Sequence, residues 1–345
     1  PGIIYVKWDA IGANNGTSWI DAYIDLQDAL ASAVTGDEIW VAAGIYKPTS
    51  ISTDREATFQ LVEDVAVYGG FTGVETILDE RDPEIYVTIL SGDIDNNDNQ
   101  TPIITDIATV TGNTTNSYHV VTGANEAILD GLTITAGSAN STNSPNDRGG
   151  GIYNFENSPT LSKITLIGNN ANIIYGGGNG GAIYNENSNP TLIDVIISNN
   201  SADESGGGIY NINSNPTLTN VNILENTATV DGGGMFNYSS SPSIIDCEFS
   251  NNYAGGKGGG IYNVEASSPI LTNVDINNNA AVDQGGGIYN PYNCNTSLNN
   301  VSIRGNSATR GGGIYNKESL ILTNVTFIQN SAEYGGGMYQ SGGTA

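Results

Sequence analysis

The chain has 345 residues and a net charge of −26, from 36 acidic against 10 basic residues. So acidic a surface repels polyanions, which excludes nucleic acid and anionic lipid as partners and leaves divalent cations as compatible ones. Two cysteines, Cys247 and Cys294, are too few for a disulfide framework. No apolar run reaches the length of a membrane-spanning helix, so this segment is not expected to insert into a membrane. Abundant Gly, Asn, Ser and Thr with scarce Lys point to a secreted or cell-surface location. The chain opens at Pro1 without an initiator Met or signal peptide, and reads as a mature form or an internal fragment.

Residues 1–48 read as an N-terminal cap with the first coil. Ile3-Ile4-Tyr5-Val6 is a short β-rich run, and a turn-rich loop follows at Ala13–Thr17. Ser18 to Val34 holds the one good helix pattern, with Leu26, Ala29, Leu30 and Ala33 on one face and Gly36 at the expected stop. Glu38–Ala43 is the next strand. An amphipathic helix ahead of stacked strands is suited to cover an open core and unpaired strand edges.

Residues 49–145 read as irregular coils with inserted loops. Short strands are expected at Thr58–Leu61, Val65–Tyr68, Thr88–Leu90 and His119–Val121. One insertion, Ser91–Asp98, carries Asp93, Asp95 and Asp98 with two Asn residues. Oxygen ligands at alternate positions suit Ca²⁺, although Asp98 and Ile104 stand where an EF-hand needs Gly and Glu. A solvated acidic loop is the other reading of these residues. His119 is the single histidine and lies in an alternating apolar strand, which makes it structural.

Residues 146–345 are regular repeats of Gly-Gly-Gly-Ile-Tyr-Asn, first seen at Gly149–Asn154. The apolar residue after the glycines falls at Ile152, Ile183, Ile209, Met235, Ile261, Ile288, Ile314 and Met338, giving spacings of 31, 26, 26, 26, 27, 26 and 24 residues. A fixed period of this size marks one continuous solenoid, with three short strands per coil of about 26 residues. An insertion around Asn169–Gly178 lengthens one coil. Like residues in successive coils stack about 4.8 Å apart and form columns.

Aliphatic columns supply the core. One asparagine column, Asn169, Asn200, Asn226, Asn252, Asn279, Asn306 and Asn330, reads as an internal amide ladder at a corner. Small Ala171, Ala202, Ala228, Ala254, Ala281, Ala308 and Ala332 follow it two residues on and give room for the bend. A second column runs from Asn154 to Asn316 and ends at Gln340. The aromatic column is Tyr153, Tyr184, Tyr210, Phe236, Tyr262, Tyr289, Tyr315 and Tyr339. Alternation with Ile places it outside the core, as an exposed stripe about 34 Å long. It either stacks ring on ring or meets a sugar or a protein. Cys247 takes the place of Val221 and Cys294 that of Ser214, different coil positions that do not suit a disulfide.

These repeats resemble those of polymorphic outer-membrane proteins, marked by Gly-Gly-Ala-Ile and Phe-x-x-Asn. Gly180-Gly181-Ala182-Ile183, Phe249-Ser250-Asn251-Asn252 and Phe327-Ile328-Gln329-Asn330 carry the likeness. The chain is similar as a whole to secreted right-handed parallel β-helix proteins of the pectin-lyase-like class. Trp40–Pro48, Tyr68–Gly73 and Leu129–Ile134 resemble the N-terminal parts of large members. The resemblance implies an all-β right-handed parallel β-helix and a surface or adhesive role.

That class also holds polysaccharide lyases and hydrolases. The hydrolase motifs it implies, Gly-His-Gly and Arg-x-Lys, do not occur here. The bases of the repeats, Arg148, Lys163, Lys257, Arg304, Arg310 and Lys317, have no evident carboxylate cluster beside them. The sequence therefore reads as no enzyme but an extracellular structural rod. It is expected to self-associate, through the edge left where the chain stops at Gly343-Thr344-Ala345, or to adhere to other surface proteins and glycans. A glycan-binding adhesin using the aromatic column and a polysaccharide lyase or hydrolase are the alternatives. No cofactor is expected beyond Ca²⁺.

Overall fold

Alternation along each repeat dictates what the coil buries. In the computed structural model, which describes residues 2–173 and 177–342, the coil starting at Ile209 shows the pattern. Its strands are Ile209–Ile212, Thr217–Thr219, Asn222–Leu224 and Thr227–Ala228. Ile209, Asn211, Leu218, Val221, Ile223 and Ala228 point inward and are buried. Each strand pairs in parallel with its counterpart one coil on, like residue to like residue. Tyr210 faces Phe236, Asn211 faces Asn237, Leu218 faces Ile244 and Ala228 faces Ala254. The chain is thus an all-β parallel β-helix.

Three sheets run along it among the described residues, with 18, 10 and 5 strands. The 10-stranded one carries the aromatic column and is called the tyrosine sheet below. The 18-stranded one is bent, because each regular coil places one left-handed residue at the corner of this sheet. Asn220 at φ 53° and Asp246 at φ 53° hold that corner. Asn and Asp tolerate this conformation, which explains why the repeats favour them there. From Ile270–Asn277 onward the two strands run through the bend as one. The small sheet, Asn170–Ala171 to Ala280–Ala281, adds a pairing where the Ala column had suggested only a bend.

The middle glycine of each run has a steric reason. A Cβ on Gly207 would lie 2.4 Å from the Thr227 carbonyl oxygen and 2.6 Å from that of Gly233. No side chain fits between coils so close.

At the N-terminal end the helix α1 spans only Leu26–Ser32, shorter than the Ser18–Val34 pattern. Asp25 caps it, accepting from the Gln27 amide at 2.9 Å. The preceding residues are taken by the β-helix: Tyr23 forms a parallel bridge with Val6, and Trp19 donates from Nε1 to the Glu75 carbonyl at 2.9 Å. Leu26, Ala29 and Leu30 join the core beside Val6 and Ile39, so α1 covers the core of the first coil. The insertion near Asn169–Gly178 falls partly, and Gly343–Ala345 wholly, outside the described residues.

Candidate functional site

The columns sort into those that build the rod and those that face outward. Asn226 Oδ1 accepts from both the backbone N and the Nδ2 of Asn200, at 3.1 and 3.0 Å. Its own Nδ2 reaches the Ile197 carbonyl at 2.8 Å and Asn252 Oδ1 at 3.1 Å. The same bonds link Asn169 to Asn200 and continue through Asn252, Asn279 and Asn306 to Asn330. The second column bonds amide to amide at 2.8 Å from Asn154 to Asn185, and at 2.9 Å from Asn316 to Gln340. A third ladder escaped the sequence reading. Ser188, Ser214 and Ser240 donate from their backbone N to the hydroxyl of Ser214, Ser240 and Ser267 at 3.0 Å. Cys294 stands at the next position of that column.

Both cysteines are free and buried. Burial, above all, pushes the Cys247 and Cys294 thiols up to about 11. Ellman's reagent at about pH 8 is therefore expected to find no thiol in the native chain, since the thiolate is the reactive form, and to find two after unfolding.

The aromatic column is not the exposed stripe its alternation suggested. Its rings stack face to face, with centroids 5.8 Å apart at Tyr153–Tyr184 and 4.7 Å apart at Tyr210–Phe236 and Phe236–Tyr262. The stack runs on through Tyr289 and Tyr315 to Tyr339. His119 heads it, 5.0 Å from Tyr153, with Nδ1 on the Gly149 carbonyl. Tyr184, Phe236, Tyr289 and Tyr315 are only 3%, 8%, 5% and 4% exposed. Tyr153, Tyr210, Tyr262 and Tyr339 are partly covered. Each inner ring has both faces against its neighbours, and bases of the connecting segments cover others. The Arg148 guanidinium lies 5.1 Å from the Tyr184 centroid and donates to its hydroxyl at 3.0 Å. Lys257 Nζ sits 5.4 Å from the Tyr289 ring. Burial pushes the Tyr210 and Tyr289 phenols up to about 12. A sugar stacks on a ring face, and these faces are taken.

The outward polar surface lies instead on the bent sheet. Its corner column is Lys163, Asp194, Asn220, Asp246, Asn273, Asn300 and Asn324, all with left-handed backbone. Side chains bridge coils there. Asn220 donates to Asp194 at 2.6 Å, Asn273 to Asp246 at 2.8 Å, Asn300 to Asn273 at 2.7 Å and Asn324 to Asn300 at 2.7 Å.

Two clefts open on this corner. The larger, about 610 Å³, is lined by Lys163, Thr165, Asp194 and Asn220 and walled by Arg81, Asp82 and Glu84 of the loop before strand Thr88–Ser91. The other, about 340 Å³, is lined by Asn273, Asp275, Asn300, Ser302, Asn324 and Thr326. Asp246 and Glu248 belong to the coil beside Asn273 and Asp275. Arg81 is paired with Asp130 and also donates to the Gly69 carbonyl at 3.0 Å, which pins the loop wall. Sequence reasoning missed this wall, because its residues come from the irregular half.

Asp93, Asp95 and Asp98 lie in one loop but face different partners. Asp93 Oδ2 is 3.7 Å from Lys47 Nζ, which also donates to the Asp93 carbonyl and, at 2.7 Å, to Asn96 Oδ1. Asp95 accepts from Thr115 at 2.7 Å, and Asp98 from Asn116 Nδ2 at 2.9 Å. The Asp98 carboxyl is pushed up to about 6, mainly by burial, against the Asn116 hydrogen bond, with repulsion from Asp93 and Asp95 adding to it. Among the described residues no three His, Cys, Asp or Glu side chains group so as to hold a metal ion, so the three aspartates do not form a common centre.

Comparison with known proteins agrees with this architecture. Residues 194–212 and 246–264 match the Chlamydia polymorphic membrane protein repeat. No curated protein matches the chain by sequence. Among solved structures, the pectate lyase Pel9A superposes with a TM-score of 0.53 at 14% identity, covering 94% of this chain and 77% of that one. The A-module of the Azotobacter vinelandii mannuronan C-5 epimerase AlgE4 gives a TM-score of 0.37 at 14% identity, over 99% of both chains. A tailspike, gp49 of Acinetobacter baumannii bacteriophage Fri1, gives 0.31 at 12% identity, over 96% of this chain and 62% of its own. The chain thus shares the parallel β-helix fold of a pectate lyase, and two of its coils match the polymorphic membrane protein repeat. No helix among the described residues is long and apolar enough to cross a membrane.

Proposed function

We propose that this chain is a rigid cell-surface rod that holds an extended, uncharged polymer, a neutral glycan, along the corner of its bent sheet without cutting it. The observation that carries the reading is the coil-by-coil repetition of Asn273, Asn300 and Asn324 at one corner, beside a cleft. Parallel strands repeat these amides about every 4.8 Å, so a polymer with repeating hydroxyls meets the same donor and acceptor in each coil. Charge selects among polymers. Asp82, Glu84, Asp194 and Asp275 line the clefts, whereas Arg81 is already paired with Asp130 and Lys163 is the remaining base there. Polyanions are repelled from such a surface. The polymorphic membrane protein repeats support a surface location.

A second reading, a polysaccharide-active enzyme, is favoured by one feature: the larger cleft brings Lys163 onto the same walls as Asp82, Glu84 and Asp194. The fold shared with a pectate lyase is compatible with it.

The test is a glycan array followed by titration calorimetry on the strongest hit. Asn273→Gly with Asn300→Gly removes two amides and keeps the left-handed backbone. Each net hydrogen bond contributes about 1 kcal/mol, so binding is expected to weaken about tenfold or more. Unchanged affinity in the double variant would refute the corner as the binding surface.

A further inference from the structure

Lys47 and Asn96 stand 49 residues apart in sequence and meet across two successive coils. Lys47 follows strand Gly44–Tyr46, which pairs in parallel with Thr88–Ser91 of the next coil. Asn96 lies in the loop that leaves that second strand. Lys47 Nζ donates to Asn96 Oδ1 at 2.7 Å and lies 3.7 Å from Asp93 Oδ2. The Asn97 backbone N donates to Asp93 Oδ1 at 3.1 Å, which fixes this carboxyl with its other oxygen toward the lysine. One cleft of about 50 Å³ is lined by Lys47, Asp93, Asn96 and Asp98 together. A primary amine, a carboxamide and two carboxyls thus share one confined space.

A counter-ion role for Lys47 needs Asp93 alone. Its contact with the amide adds an electrophile. Asn96 Cγ lies one carbonyl bond, about 1.2 Å, beyond Oδ1. Rotation of the two side chains is enough to bring Nζ to the near-attack distance of about 3–3.5 Å. The Asp93 side chain is only 7% exposed, whereas Asn96 is exposed, so a group leaving the amide has a path to water.

We propose that Lys47 and Asn96 join in an intramolecular isopeptide bond, a covalent staple between the two coils. Asp93 takes a proton from the Lys47 ammonium, and the neutral Nζ attacks Asn96 Cγ. The Nζ–Cγ bond forms and the Cγ–Nδ2 bond breaks. Nζ gives up two protons in all: one passes through Asp93 to Nδ2, which leaves as ammonia, and the other leaves with it as ammonium. An ammonium and a carboxamide become a secondary amide and a free ammonium ion, with no oxidant, reductant or co-reactant. Asp98 is a second acid on the cleft, its carboxyl pushed up to about 6 mainly by burial. Both cysteines are free, so no disulfide does this work in the rod. Closing a long loop covalently restricts the unfolded chain, as a disulfide does. The staple is separate from the clefts of the bent sheet and does not depend on what they bind.

The experiment is intact-mass spectrometry of the purified full chain after unfolding, followed by peptide mapping. The chain is expected to be lighter than its sequence by one ammonia. Digestion should release one branched peptide that carries both Lys47 and Asn96. Lys47→Arg keeps the charge and cannot form the bond, so it should show the full sequence mass and a lower Tm. Asp93→Asn removes the proton carrier and should slow bond formation by about a hundredfold or more. If Asp93→Asn does not fold, the branched peptide in the native chain and its loss in Lys47→Arg decide the matter. Full sequence mass in the native chain, or separate peptides for the two residues, would overturn the proposal. So would an ammonia loss that persists in Lys47→Arg, which marks a succinimide at Asn96. Cross-linking of Asp93→Asn at the native rate would overturn the proton route.

Discussion

Asn226→Ala is expected to destabilise the rod by about 3 kcal/mol, far more than its size suggests. The change removes a wholly buried amide with four partners. The Asn200 backbone N loses its acceptor, Asn226 Oδ1, and the Ile197 carbonyl loses the Nδ2 donor. Asn200 Nδ2 keeps the Leu166 and Ser198 carbonyls, and Asn252 Oδ1 keeps the Asn226 backbone N, so the full cost falls on the first two groups. Stacked coils interact with nearest neighbours only, so the loss should stay local. Hydrogen exchange should show the Asn200 amide losing protection while amides near Asn306 keep theirs. Asn220→Gly at the exposed corner, whose amide bonds only Asp194, should cost less than about 1 kcal/mol. Equal effects at the two positions would refute the distinction between ladder and surface column.

Gly233→Ala is expected to be worse still. Its added Cβ would stand 2.4 Å from the Tyr253 carbonyl oxygen and 2.6 Å from that of Gly259. Both are backbone atoms of the next coil, and neither can move without parting a strand pair. Overpacking against a rigid neighbour costs about 1–3 kcal/mol, and opening the coil adds lost ladder bonds, so about 4 kcal/mol is expected. The control is Gly337→Ala, the third glycine of the run in the last described coil, where the nearest contact is Phe327 Cβ at 3.6 Å. Its Tm should stay close to that of the native chain in urea or heat unfolding. A well-folded Gly233→Ala protein of native Tm would show that the coils are not packed as described.

The repeats made the rod legible because each physical requirement recurs at the same place in every coil. Ile209, Leu218 and Ile223 mark the core by alternation, and Asn226 marks its corner by repetition. Burial of the aromatic column was not legible. Alternation and the column spacing gave the direction of Tyr210 and the stacking of its ring on its neighbours, but not how far that stacking buries the rings, nor Arg148 and Lys257 folding over the column. The clefts were hidden for a related reason. Their floor is the corner column from Lys163 to Asn324, but one wall comes from Arg81, Asp82 and Glu84, far back in the irregular half. The helix pattern over Ser18–Val34 overran because Tyr23 and Trp19 serve the first coil. The acidic loop drew notice by the alternate spacing of its carboxylates and amides. Which partner each carboxylate takes depends on Lys47, Thr115 and Asn116, residues that no spacing rule connects to them.

A rod of this kind should hold a polymer and leave it whole. The direct measurement incubates the purified chain with neutral and uronate polysaccharides, with and without Ca²⁺. It follows bound fraction by co-sedimentation and polymer length by size-exclusion chromatography. Saturable retention of a neutral glycan, weaker retention of uronates and unchanged polymer length throughout are expected. Shortened chains or new unsaturated ends, lost on Lys163→Met, would contradict a purely binding role and establish the larger cleft as a catalytic site.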